Sequence, residues 1–300
     1  MKSNFPRISL AKLCGWFGIT RQAYYQNSWS GIGISIEEDL VLKQVLQIRK
    51  NHSRMGARKL QTMLQPFLIE HQIKLGRDGL FELLAANCML VKRKKRRVQT
   101  TWSQHWLRKY PNLIRDFVPT GPNQLWVSDI TYWKVMDHNF YITFITDAYS
   151  HKIVGYQIAE TLESIESVKA LEMALKSLRG KMYKLIHHSD RGVQYCSSDY
   201  VKQLKDCEIQ ISMTENGDPL ENAVAERING IIKEEYLFTY DIKSLNHAPG
   251  MLKRAIELYN TERPHLSISN LTPEFVHTSN LSLKIDRLWK NYYKKNTILV

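Results

Sequence analysis

The sequence lacks the features that mark secreted, membrane or zinc-bound proteins. Its 300 residues include four cysteines, with no CxxC pair and no histidines at matching spacing, at positions 14, 88, 196 and 207. We therefore expect reduced thiols, with neither a zinc site nor a disulfide framework. There is no signal-peptide pattern and no apolar run of membrane length, so a cytoplasmic protein without a membrane partner is expected. No internal repeat interrupts the chain.

Acidic residues are scarce in the first part of the chain. Residues 1–123 hold 21 Lys/Arg against 7 Asp/Glu, whereas residues 124–300 hold 21 against 22. The formal net charge of +13 therefore comes from the N-terminal part. Such a basic segment attracts phosphate through counterion release, so we expect a DNA partner and association with the nucleoid.

The first 91 residues predict two helical modules. In segment 1–36, an apolar-periodic helix, Gly18 at a turn and Thr20 as an N-cap form a helix-turn-helix pattern, with Arg21 and Gln22 exposed for DNA contact. The alternative is a chance helix–glycine–helix pattern. Segment 37–91 predicts helices near 38–50, 57–65 and 77–87. Arg58 and Lys59 give this second module a basic surface for DNA, and the alternative is a plain three-helix packing domain.

A basic linker and a basic tail flank the rest of the chain. The linker, 92–119, begins with six consecutive cations that either track the DNA backbone or form a solvated connector: Lys92, Arg93, Lys94, Lys95, Arg96 and Arg97. The aromatic tail, 278–300, is expected to contact DNA or to pack on a second subunit.

Residues 120–277 predict an α/β domain. Apolar alternation indicates strands at about 124–134, 139–147, 152–160, 184–189 and 208–213, and helices near 163–179, 197–206, 220–237 and 247–259. The first three strands have short turns, as in an antiparallel meander. The pattern predicts a mixed five-stranded sheet with helices packed over it.

Three carboxylates stand out within this domain. Asp129 lies inside a strand, Asp190 ends another strand, and Glu226 lies mid-helix. Two Asp and one Glu from separate segments can hold two divalent metal ions against a phosphodiester. Asp199 and Glu235 repeat the spacing of Asp190 and Glu226. However, Asp199 reads as a first-turn carboxylate, and Glu235 lies about 180° around the helix from Glu226.

Helical spacing gives Glu226 polar neighbours. Asn222, Asn229 and Lys233 fall on its stripe, opposite an apolar stripe that includes Ile228. An ordinary amphipathic helix is the alternative. His187 and His188 are candidates to orient a phosphate or a metal ligand. The favoured interpretation is that one packs in the strand and the other makes a local hydrogen bond. Asp147 is expected to stabilise a turn before Ser150.

Four stretches in this region resemble one family: WVSDITY, HHSDRGVQY, ENAVAERINGIIKEE and YNTERPH. Together they are similar to the retroviral-integrase-like core of bacterial insertion-sequence transposases of the OrfB type. The resemblance implies a ribonuclease-H-like fold and a catalytic, metal-binding triad at Asp129, Asp190 and Glu226. It also implies a basic residue seven positions after the glutamate, here Lys233. We expect Lys233 and Arg263 to contact DNA.

The expected activity is two-metal DNA cleavage and 3′-hydroxyl strand transfer that mobilises an insertion sequence. Mg²⁺ suits the carboxylate donors, with Mn²⁺ as a substitute, and Asp129 is expected to bridge both ions. The expected partners are the element's terminal inverted repeats, target DNA, further copies of the chain, and an upstream helix-turn-helix protein, separate or fused. A nuclease of the same fold and a DNA-binding repressor remain the alternatives.

Overall fold

A computed structural model describes residues 8–91, 106–178, 184–215, 222–240, 242 and 244–279, apart from the side chains of 26–35. The basic run 92–97 and residues 280–300 of the C-terminal tail lie outside the described residues. The chain divides into two compact units, one of residues 1–50 and 56–90 and the other of residues 51–55 and 91–300. None of the described helices has the length and apolar character that crossing a membrane requires.

The first unit is helical, as predicted. It comprises α1 (Leu10–Trp16), α2 (Arg21–Asn51), α3 (Ala57–Glu70) and α4 (Arg77–Ala86). Gly18 adopts a positive φ of 66° in the turn after α1, a conformation that glycine adopts without strain. The Thr20 side chain accepts a hydrogen bond from the Ala23 amide at 3.0 Å, which confirms it as an N-cap.

Two helix boundaries differ from the sequence-based expectation. A single helix α2 covers 21–51, where we expected one helix after Thr20 and another near 38–50. No proline interrupts this segment, and a glycine inside a helix costs only about 1 kcal/mol. The predicted end of α3 at residue 65 is also wrong, because α3 continues past Pro66 to Glu70. Leu64 and Leu68 on either side of that proline are buried and hold the helix in place.

The second unit is built on a five-stranded mixed sheet. Its strands are β1 (Leu125–Val135), β2 (His138–Asp147), β3 (Ile153–Ala159), β4 (Ile186–Ser189) and β5 (Gln210–Met213), in the order β3-β2-β1-β4-β5. The first three strands are antiparallel, and β4 and β5 run parallel to β1. Every predicted strand is present with its boundaries within two residues.

Helices cover both faces of the sheet. One face packs against α5 (Ser164–Ser177), α6 (Val193–Cys196) and α7 (Ser198–Asp206). The other packs against α8 (Ala223–Ile231), the π-helical turn Ile232–Tyr236 that continues it, and α9 (Ala248–Thr261). A 3₁₀ turn Leu237–Thr239 follows the π turn, and α10 (Pro273–Thr278) ends the described chain. This arrangement confirms the ribonuclease-H-like fold.

The α5 helix lies unusually close to β3 at Gly155. A Cβ atom at this position would lie 2.3 Å from the Ala170 carbonyl oxygen and 2.8 Å from the Ala174 methyl group. Backbone cannot yield as a flexible side chain does, so the close approach requires glycine.

We therefore expect Gly155→Ala to lower the free energy of unfolding by about 1–3 kcal/mol, the usual cost of overpacking. Urea denaturation of the full chain measures this change. Gly250→Ala in α9 is the matched control, because a Cβ there meets no atom within 4 Å. Equal stability of the two variants would contradict the assignment of Gly155 as a forced close contact.

Candidate active site

The parallel pairing of β1 with β4 determines the centre of the candidate site. The paired residues run from Leu125 opposite Ile186 to Ser128 opposite Ser189. Asp129 and Asp190 are the next residues on the two strands. They therefore emerge side by side where the parallel pairing ends, at the edge where α/β sheets place their sites.

The side-chain amides of two asparagines hydrogen-bond α8 to β1 beside this pair of aspartates. Asn222 Nδ2 donates a hydrogen bond to the Ser128 carbonyl oxygen at 3.0 Å, and Asn229 Nδ2 donates to Asp129 Oδ2 at 2.6 Å. Both asparagines are buried, whereas Glu226, between them along the helix, is exposed. The two bonds hold the polar stripe of α8 against the point on β1 where its pairing with β4 ends, with Glu226 on the solvent side.

Burial and nearby negative charge both act on the pKa of Asp129. Burial raises the pKa of Asp129 well above its usual value, and the charges of Asp190 and Glu226 raise it further. Hydrogen bonds from the Ile130 amide and from Asn229 act in the opposite direction. The structure thus brings the three predicted carboxylates within electrostatic range. Within the described ranges, no group of three or more His, Cys, Asp or Glu side chains is arranged as it stands to hold a metal ion.

Behind the strand ends, both histidines of β4 are buried and hydrogen-bonded. His187 Nε2 lies 2.9 Å from the Tyr200 hydroxyl, and burial is the main cause that lowers the pKa of His187 to about 3. His188 Nδ1 lies 2.8 Å from Ser212 Oγ, which also accepts the Leu113 amide. These contacts support local packing for His187. A role of His188 in orienting a phosphate or a metal ligand stays a prediction.

Comparison with known proteins gives the family. Two models, each described as an integrase core domain, match residues 119–219 and 207–273. The insertion element IS600 31 kDa protein of Shigella sonnei is 36% identical over 87% of this chain and 96% of its own length. The transposase for insertion sequence element IS629, also of Shigella sonnei, is 30% identical over 75% of each chain. The chain belongs to the insertion-sequence transposases.

The predicted family is thus confirmed, and the protein is a polynucleotidyl transferase. Among solved structures, the catalytic core domain of HTLV-2 integrase in complex with magnesium is similar to this transposase. The similarity covers 52% of the transposase chain and 97% of the integrase chain. The sequence identity is 21% and the TM-score 0.43. The transposase fold itself is defined by the strand order and the helical layers described above.

The structure corrects the prediction for Arg263. This side chain is 1% exposed, and its Nε and Nη2 atoms donate to the two carboxylate oxygens of Glu235 at 2.8 and 2.7 Å. A guanidinium buried in a bidentate ion pair cannot reach a DNA phosphate, so Arg263 belongs to the packing of α9 against the π turn. The ion pair also places the Glu235 carboxylate away from the candidate site, as expected from its position on the helix relative to Glu226.

Asn260 and His265 of the YNTERPH motif also make contacts within the fold. Asn260 bonds both backbone groups of Ile153, with its Oδ1 accepting from the amide and its Nδ2 donating to the carbonyl, each at 3.0 Å. The His265 ring stacks on that of His151 with centroids 5.4 Å apart. This motif therefore fixes α9 and the following turn to the start of β3. The sequence carries a signal for it only in the helix stop at Pro264.

Two further expectations for acidic residues are confirmed. Asp147 Oδ1 accepts the Ser150 amide and hydroxyl at 2.7 and 2.6 Å, so it stabilises the turn after β2. Asp199 lies in the first turn of α7, where a first-turn carboxylate was expected. In the first unit, Arg21, Gln22 and Arg58 are exposed and Lys59 is half-buried, and their DNA contacts stay predictions.

The Arg263–Glu235 pair is expected to act on stability. Arg263→Met leaves a largely buried carboxylate without its partner, so we expect a loss of about 3–5 kcal/mol in the free energy of unfolding. Adding Glu235→Gln to Arg263→Met should restore part of that loss, because the uncompensated charge is then gone. Urea denaturation of the single and double variants measures both effects. A stable Arg263→Met variant with a reduced salt dependence of DNA affinity would instead revive the DNA-contact prediction.

The raised pKa of Asp129 predicts a pH-dependent stability. The folded protein retains the proton over a pH range in which the unfolded chain, with a pKa near about 3.9, has lost it. The stability that accompanies the protonated form is therefore lost as pH rises through the folded pKa. In EDTA, Asp129→Asn should raise the free energy of unfolding at pH 8 by more than about 0.5 kcal/mol, beyond the range of neutral surface changes.

The gain should shrink towards pH 5, and urea denaturation at the two pH values checks this. Asp199→Asn removes an exposed carboxylate from the same unit and serves as the control, for which no pH-dependent gain is expected. An Asp129→Asn variant that is equally destabilised at both pH values would contradict the argument.

Proposed function

We propose that this transposase cleaves the ends of its insertion sequence and joins the resulting 3′-hydroxyl to target DNA, using Asp129, Asp190 and Glu226. The observation that carries the proposal is the parallel register. It ends at Ser128 and Ser189 and leaves two aspartates adjacent, with Glu226 held nearby by the two asparagine contacts. Three carboxylates on separate elements, converging at the end of a sheet, fit phosphodiester chemistry better than they fit structural packing.

The donor set fits a hard divalent cation. Carboxylate oxygens are the ligands that Mg²⁺ prefers in proteins. A cation would offset the burial, and the repulsion from Asp190 and Glu226, that together raise the pKa of Asp129. We propose that Asp129, Asp190 and Glu226 would hold the Mg²⁺ ions. When bound, the ions supply activation of the attacking oxygen and charge neutralisation at the leaving oxygen.

The residues of the chain have definable roles in this scheme. Asn229 fixes one Asp129 oxygen, and the Ile130 amide donates to the other at 2.9 Å, so the carboxylate is held in one orientation. The Gly192 amide donates to Asp190 Oδ1 at 2.9 Å and so orients the carboxylate of this second aspartate. In cleavage, a water oxygen forms the new bond to phosphorus and the 3′-oxygen leaves with a proton. In joining, a DNA 3′-hydroxyl takes the place of that water.

DNA is the proposed partner, and the basic N-terminal part of the chain is proposed to supply most of the affinity. With 21 Lys/Arg against 7 Asp/Glu, residues 1–123 can neutralise phosphates without help from the near-neutral remainder. Because a transposition event joins two element ends, we also propose that at least two copies of the chain act together.

The test compares the wild type with Glu226→Gln on labelled duplexes that carry the ends of the insertion sequence, in Mg²⁺. The substitution keeps the size of the side chain and removes its charge. We expect cleavage and joining to fall by more than about 100-fold, because even groups that only orient a metal ligand contribute about 10–100-fold. DNA binding in EDTA should persist.

Asp199→Asn provides the matched control, because Asp199 forms the other carboxylate pair with the same spacing and should be dispensable. Cleavage without joining by the wild type would favour a nuclease. DNA binding without any chemistry would favour a repressor. Unchanged activity of Glu226→Gln would remove this residue from the site.

A further inference from the structure

Two exposed aromatic rings flank Lys233 beside the candidate active site. The Lys233 Nζ atom lies 4.3 Å from the ring centroid of Tyr132 and 5.9 Å from that of Phe238. Tyr132 is 40% exposed and Phe238 is 44% exposed, whereas the lysine between them is half-buried. The cluster therefore consists of two partly exposed aromatic rings on either side of a positive charge.

The ends of the neighbouring strands explain why this cluster is accessible. β4 stops at Ser189, opposite Ser128, while β1 continues to Val135. The stretch of β1 that carries Thr131 and Tyr132 thus extends past its parallel neighbour. Lys233 packs against this stretch, with its Nζ donating to Thr131 Oγ1 at 3.1 Å.

The π-helical turn places Phe238 on the same side as Lys233. The two residues are five positions apart, one at the second position of the turn Ile232–Tyr236 and the other in the 3₁₀ turn that follows it. A π-helical turn pairs residues five apart, where an α-helix pairs residues four apart. The break in regular helix geometry is therefore what brings the second aromatic ring to the cation.

The cluster also lies close to the reacting groups. Thr131 is two residues from Asp129 on the same face of β1, and the charge of Asp129 acts on Lys233. A group bound between the two rings would therefore be adjacent to whatever is bound at the carboxylates.

We propose that Tyr132 and Phe238 form a stacking platform for an unpaired nucleobase next to the scissile phosphate. This inference rests on the proposed function. Aromatic rings interleaved with a cation are the combination that binds single-stranded nucleic acid, because every base has a π face and every nucleotide a phosphate. A base inside a duplex has both faces covered, so the platform takes a base that has left the stack at the end of the element. The platform positions the strand with little sequence preference.

The experiment couples changes in the protein to changes in the DNA. The protein variants are Tyr132→Leu, Phe238→Leu and the double variant, and Tyr132→Phe is the conservative variant that keeps the ring. The substrates are the element-end duplex and versions with one abasic nucleotide on either side of the scissile phosphate. Phe275→Leu is the matched control, since Phe275 is 46% exposed in α10, away from the cluster.

For the wild type, we expect one abasic position to lower cleavage by about 5- to 150-fold, the range that loss of one stacked base produces. The double leucine variant should show a loss of this size on the intact duplex and no further loss on the abasic one. Tyr132→Phe and Phe275→Leu should behave as wild type. Independent, multiplicative losses from the two changes would overturn the proposal, because a purely structural role of the rings gives that result.

A binding measurement separates this proposal from the chemistry. With 2-aminopurine at the same nucleotide, its fluorescence should be quenched on binding in EDTA by the wild type and by Tyr132→Phe, but not by the double leucine variant. Quenching without Mg²⁺-dependent cleavage would support the platform and contradict the proposed function. Mg²⁺-dependent cleavage together with equal quenching by the wild type and the double variant would support the proposed function and contradict the platform. If Tyr132→Leu fails to fold, Phe238→Leu in the exposed turn carries both measurements alone.

Discussion

The register between β1 and β4 is the constraint on which the candidate site depends. The two strands are parallel, and their pairing ends at Ser128 opposite Ser189, so the chain emerges from both strands at the same level. A shift of one residue in either strand would turn its aspartate to the opposite face of the sheet. The register is held by what lies on each side, with Trp126 fully buried against α5 and α7, and Val127 buried on the other face near α8. Apolar packing therefore fixes the position of two charged groups.

Much of this arrangement could be predicted because the relevant signals are local. Alternation of apolar residues defines β1 to β3, and the short apolar run before Asp190 defines β4. The spacing of Asn222, Glu226 and Asn229 placed them on one polar stripe, and the structure confirms the polar contacts of the two asparagines. The expected mixed sheet also put Asp129 and Asp190 at strand ends beside a helix, and the structure places both residues where the β1–β4 pairing ends.

The features that were missed depend on partners distant in the sequence. Arg263 looks like an exposed cation in a short motif, and only the fold reveals that Glu235, 28 residues earlier, neutralises it. Asn260 likewise bonds Ile153, 107 residues away. The π-helical turn has no recognisable sequence signal, because a run such as IKEEY is compatible with a regular helix. Its conformation follows from the packing of Ile232 and Tyr236 against the sheet and α9.

The carboxylates of the second unit lie in two kinds of surroundings, and the difference supports the candidate site at Asp129. Asp147 accepts three hydrogen bonds at a turn, Glu235 has Arg263, and Glu274 has Lys152 within 2.7 Å. These groups are compensated by neutral donors or by a cation. Asp129 also accepts hydrogen bonds from neutral donors, but its burial and then the charges of Asp190 and Glu226 outweigh them and raise its pKa well above its usual value. Folding therefore concentrates like charge at one strand end although it offsets charge elsewhere. Such an arrangement lowers stability on its own, and strongly perturbed pKa values of this kind cluster at functional sites.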